Sequence, residues 1–186
     1  MKALIPGTVI PYAGFDGDVF DLFRPMLRAA DGLSLAQVCS ITGLEAPCIQ
    51  NWVKRGFVPH PIKKRYYERQ LARILMISAL RESMQIERIV QLLALVNGDV
   101  ESEADDLIEE SRLFDMLCRV IRDTETLPLA NAQAEESIAR VSANYRESRP
   151  GDKVRLEEAL TVMLYAHLAC RLKREADLAY MQLCGG

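Results

Sequence analysis

Gln50, Asn51 and Lys54 lie within one short stretch of helical periodicity, and Arg55, Lys63, Lys64, Arg65 and Tyr66 come soon after. The chemistry of these groups is that of DNA recognition. A side-chain amide pairs bidentately with the N6/N7 edge of adenine, and lysine reaches the acceptors of guanine in the major groove. Cations neutralise phosphates and release counterions, and a tyrosine hydroxyl can donate to a phosphate oxygen. The charge is local. Residues 51–73 carry seven basic side chains against Glu68 alone, whereas the whole chain sums to −3. By segment, residues 1–33 carry −1, residues 34–75 carry +5 and residues 76–186 carry −7. A basic module ahead of an acidic one confines polyanion binding to the first.

Other side chains in and around the stretch read as structural. Trp52 suits packing between its own helix and the extended segment after it. His60, between Pro59 and Pro61, reads as a surface residue, and His167, inside an apolar helix, as a core histidine. Tyr67 is a second hydroxyl for phosphate or an anchor.

Several function classes are not signalled. The chain has no Gly-rich phosphate loop, no G-x-S-x-G and no H-E-x-x-H, so it is not read as an enzyme and no catalytic residue is assigned. The five cysteines, Cys39, Cys48, Cys118, Cys170 and Cys184, are odd in number and widely spaced, which predicts reduced thiols, no metal site and no cofactor. The richest apolar run, 159–172, falls short of the roughly 20 residues that span a bilayer, so no membrane partner is expected. The first residues make a poor signal peptide, which points to the cytoplasm.

The elements that must position these groups emerge from periodicity. Val19, Phe20, Phe23 and Leu27 share a face of a short helix that Pro25 is expected to kink or end. Ser34 followed by Gln37 is a capping-box pattern, and Leu35, Val38 and Ile41 continue at helical spacing. Gly43 suits a left-handed helix end. Glu45 and Pro47 then start a second helix over about 46–54. Ala46, Ile49 and Val53 point together on it, with Trp52 at their edge, while Asn51 and Lys54 point away, flanked by Gln50 and Arg55. Two short helices joined by a glycine-containing turn form a helix-turn-helix. The segment "FVPHPIKKRYY" predicts a short β wing over 57–67. Helical patterns come next at 68–80 and 86–96, then at about 103–122, 132–147 and 152–183, the last apolar nearly all round its middle.

Taken together, "LSLAQVCSITGLEAPCIQNWVKRGFVP", the basic turn and "RYYERQLARILMISALRESMQIERIVQLL" resemble the winged helix-turn-helix of MerR-type regulators. The resemblance covers roughly residues 33–96. The phrases "IQNWVKRGFVPHPIKKRYYERQLARIL" and "NGDVESEADDLI" are more closely similar to an uncharacterised bacterial family of MerR-like proteins catalogued as a domain of unknown function. The chain departs from the MerR pattern in a wing about five residues shorter, in Gln50 where arginine is common and in Cys48 where threonine is common. No sensor cysteines are recognisable, so the resemblance assigns no effector.

These readings predict a mainly all-α protein in three parts. Residues 1–32 form an arm and short helix, 33–98 a winged helix-turn-helix with a short β wing, and 99–186 a helical region for dimerisation or effector binding. The expected partner is double-stranded DNA, met by a homodimer acting as a transcriptional regulator. In this scheme Gln50, Asn51 and Lys54 read bases, and Arg55, Lys63, Lys64, Arg65 and Tyr66 hold phosphates. The alternative is a protein–protein interaction module on the same scaffold. An exposed basic set separates the two readings.

Overall fold

The computed structural model describes residues 4–12, 15–102, 106–124 and 131–184. Among these, the chain forms α1 (Val19–Ala29), α2 (Leu35–Thr42), α3 (Ala46–Lys54), α4 (Glu68–Leu80), α5 (Ile86–Asn97), α6 (Glu110–Asp123), α7 (Asn131–Val141) and α8 (Asp152–Cys184).

Helices α2 and α3 and the turn between them form for the reasons their residues suggest. Ser34 Oγ accepts from the Gln37 amide at 3.3 Å, and Gln37 Oε1 accepts from the Ser34 amide at 2.8 Å, closing the capping box that starts α2. Gly43 ends α2 at φ +70°, and its amide donates to the Cys39 carbonyl at 2.8 Å. A Cβ at this glycine would meet Val9 Cγ1 at 2.7 Å, so the N-terminal arm lies against the turn. Glu45 precedes α3 without bonding its first turn through the side chain, and Pro47 sits inside that turn. Pro25 lies within α1, which continues to Ala29.

The expected β wing is not formed. Among the described residues there is no strand, only isolated bridges at Leu4–Pro11, Leu33–Tyr66 and Ile62–Arg65. Pro59 and Pro61 lack the N–H donors a ladder needs, which leaves the segment one reciprocal pair at its tip. There Ile62 and Arg65 exchange backbone hydrogen bonds of 2.9 and 2.8 Å. The two residues between them, Lys63 at φ +48° and Lys64 at φ +65°, have the backbone sign of a tight primed turn. Such positions favour glycine or asparagine, and a side chain there costs roughly 1–2 kcal/mol.

α4 is the centre of the molecule. Leu71, Ile74, Leu75, Met76, Ile77 and Leu80 are all buried, and the helix packs on α1, α2, α5, α6 and α8. One hydrophobic cluster runs from Ile5 through α2–α5 into Phe114, Leu117, Leu160 and Leu164. The C-terminal helices therefore share a core with α2–α5. α6 begins at Glu110, where the periodicity suggested a start at 103; residues 103–105 lie outside the described set. α7 ends at Val141, short of the expected 147. No helix among the described residues is long and apolar enough to cross a membrane.

Candidate nucleic-acid interface

α3 sorts its faces as its periodicity requires. Ile49, Trp52 and Val53 are buried, which seats the helix on the core and turns the opposite side to solvent. Gln50, Asn51 and Lys54 are exposed there. Lys63, Lys64 and Arg65 are exposed on the tight turn beyond the helix. None of these six side chains makes a hydrogen bond or ion pair among the described residues, so their donors face water.

Three of the remaining sequence candidates have other partners. Arg55 bonds Glu87 of α5 at 2.7 Å, and its guanidinium lies 4.3 Å from the centre of the Phe57 ring. Tyr66 is only 4% exposed, so it packs in the core rather than reaching a phosphate. Its backbone exchanges 2.8 Å hydrogen bonds with Leu33, tying the base of the turn to the loop ahead of α2. The Tyr67 hydroxyl donates to Asp31 Oδ1 at 3.1 Å. Gly32, at φ +82°, permits this approach, because a Cβ there would stand 2.9 Å from that of Arg65. His60 is exposed, and its ring nitrogen and backbone amide both meet Glu101 Oε1.

Two arginines counted in the basic run turn inward. Arg73 is completely buried: its Nε donates to the Phe57 carbonyl at 2.8 Å and its Nη1 lies 3.0 Å from Glu110 Oε1. Arg69 Nε reaches the other oxygen, Glu110 Oε2, at 2.8 Å. Burial pushes the Glu110 carboxyl above its ordinary value, against the downward pull of the two guanidinium groups, and burial likewise lowers Arg73. Arg73 Nη2 has no hydrogen-bond partner among the described residues. The sequence signal for this contact was a pair of arginines four residues apart on a helix otherwise rich in Leu and Ile. Glu110 lies far along the chain, so the pattern alone did not identify the partner. Glu68, the one acidic residue of the stretch, pairs with Arg24 at 2.8 Å.

A polar cleft of about 590 Å³, bordered by Arg24, Arg69, Glu110 and Arg112, opens beside this contact. Cys39 and Cys48 are half-buried, Cys118 and Cys170 buried and Cys184 exposed, all as free thiols. No group of three or more His, Cys, Asp or Glu side chains able to hold a metal ion occurs among the described residues.

A family model described as "Domain of unknown function (DUF1836)" matches residues 31–116. The similarity spans 86 of 186 residues. It takes in α2 through α5 and reaches past Glu110, so both ends of the Arg69–Arg73–Glu110 contact lie inside it. The chain is also 23% identical over 155 residues to the "Uncharacterized protein YkrK" of Bacillus subtilis (strain 168). That alignment covers 77% of this chain, and the chain spans 66% of the relative's length. No solved structure matches. Neither comparison points to MerR-type regulators.

Proposed function

We propose that this protein is a MerR-like regulator that binds double-stranded DNA, with α3 in the major groove and the turn 57–67 on the phosphate backbone. Gln50, Asn51 and Lys54 read base edges, and Lys63, Lys64 and Arg65 hold phosphates. Two copies reading a two-fold-symmetric site would present their α3 helices about one helical turn of DNA apart, near 34–36 Å. The observation that carries this reading is the exposed, unpaired set on α3 and the turn after it. An interaction module that covered this face with its own C-terminal helices would have buried it.

The test is a salt titration of binding to sheared genomic DNA, comparing wild type with the Lys63→Ala/Lys64→Ala/Arg65→Ala variant. Wild type should bind with a steep salt dependence. Removing three phosphate contacts should make the slope of log K against log salt shallower by about 2–3. Sequencing the retained fragments then identifies the operator. Folded wild-type protein that fails to bind at low salt defeats the reading.

A further inference from the structure

We propose that the cleft bordered by α1, α4 and the start of α6 binds a free α-amino acid, its carboxylate on the first turn of α6 and its ammonium on Glu109. The cleft holds about 590 Å³, within the roughly 300–1,000 Å³ of small-molecule sites. α6 runs for 14 residues from Glu110, and the Glu109 side chain ahead of it does not cap the helix. Leu113 supplies the first amide that bonds within the turn, donating to the Glu109 carbonyl at 3.0 Å. The Ser111 and Arg112 amides before it donate to no group among the described residues, and such a helix start favours an oxyanion. A side chain gives a second, independent sign of a ligand. Ser111 is only 4% exposed and borders the cleft, yet its hydroxyl makes no hydrogen bond among the described residues. That oxygen is not sealed in the core, so it opens on the cleft. A nearly buried hydroxyl without a partner is costly unless something in the cleft meets it.

The charges around the cleft indicate the class of ligand. Arg24 pairs with Glu68 at 2.8 Å and Arg69 with Glu110 at 2.8 Å, so these groups largely cancel. Arg112 and Glu109 also border the cleft, both exposed, and neither makes an ion pair among the described residues. The Arg112 guanidinium suits the two oxygens of a carboxylate, alongside the Ser111 hydroxyl and the free amides. Glu109, two residues before Ser111, offers an acceptor for an ammonium group beside them. Leu107 and Ile108 add apolar wall for the rest of the molecule. A phosphate dianion fits worse, because the cleft already holds the carboxylates of Glu68, Asp106, Glu109 and Glu110. A zwitterion adds no net charge.

This site does not depend on the DNA reading, and its test uses no nucleic acid, so the two stand or fall separately. The common α-amino acids are titrated one at a time into the isotope-labelled full chain near neutral pH, and backbone amide shifts are followed. At least one should shift the Ser111 and Arg112 amides saturably. Arg112→Ala and Glu109→Gln change exposed side chains and should keep the fold. Each should weaken binding of that amino acid by about tenfold or more. The matching acid without its amino group should bind wild type and Glu109→Gln alike, since it brings no ammonium. Ser111→Ala should weaken both ligands. The proposal is overturned if no amino acid shifts these amides saturably, or if Glu109→Gln leaves the affinity unchanged. Inorganic phosphate saturating the same amides where amino acids do not would overturn it as well.

Discussion

Lys63, Lys64 and Arg65 stand only a few residues from Arg69 and Arg73, yet the two groups of cations have opposite fates. The first group sits on a turn that two prolines hold clear of any ladder, and its charges face water. The second sits on α4, the helix around which the molecule is packed, and its charges turn inward to Glu110. The difference shows that a basic run is not one surface. The outward cations are free to meet a polyanion, whereas the inward ones join α4 to α6 and, through the Phe57 carbonyl, fix the start of the turn.

The largest effect should come from breaking the inward group. Glu110→Ala leaves Arg73 buried without its counter-charge and should cost about 3–5 kcal/mol of stability, seen as a lower denaturation midpoint. A joint Arg73→Met/Glu110→Leu change should recover much of this loss, because a buried ion pair is often replaceable by apolar side chains of similar size. If Glu110→Ala left stability unchanged, the contact would not join the two halves.

The outward group should behave in the reverse way. Asn51→Ala removes an exposed amide and should leave the melting temperature nearly unchanged. It should weaken binding to the selected operator by about 1–3 kcal/mol and relax preference at one base pair. Equal losses on operator and random DNA would remove Asn51 from the base-reading set.

A smaller effect concerns the turn itself. Lys64→Gly relieves the strain of a side chain at φ +65° while adding freedom to the unfolded chain, for a net gain of about 0.5–1 kcal/mol. It should also remove a phosphate contact. A variant more stable and weaker on DNA is therefore expected, and thermal melts beside anisotropy titrations would check both.

The smallest effect is a pH dependence with two opposed parts. His167, desolvated and facing Arg171 and Arg174, is lowered from 6.5 to about 4. The unfolded chain takes up this proton first, so the associated stability is present above about pH 6.5 and is lost as pH falls toward 4. Asp115, whose carboxylate accepts the Phe20 amide at 3.0 Å, is raised by burial from 3.8 to about 6. Its contribution is full below 3.8 and is lost as pH rises through about 6. His167→Gln should therefore improve stability at pH 5 relative to pH 7, and Asp115→Asn should do the opposite. Melts at the two values measure both.

Helices α2 and α3 and the turn between them were legible because their signals are local. Ser34 and Gln37 cap each other, Gly43 takes the left-handed conformation, and Ile49, Trp52 and Val53 must share the inward face of a short helix. The exposure of Gln50, Asn51 and Lys54 came from the same geometry. The absence of a β wing was not legible, since Ile62, Tyr66 and Tyr67 suit strands but the donors that Pro59 and Pro61 lack decide whether a ladder forms. Nor was the position of Tyr66, whose burial depends on pairing with Leu33.

What this sequence determined by itself, then, is everything that depends on neighbours within a few residues: helix starts and ends, faces, and a local excess of positive charge. Tertiary structure alone decided which charges face out. Taking Arg73 from water is tolerable only where Glu110 meets it, and that meeting depends on how α4 and α6 pack. It also decided that α8 is buried in its first half and uncovered in its second, because the bundle ends at Cys170 while the helical pattern does not. Burial and ion pairing are properties of segments brought together, and no stretch of chain carries them alone.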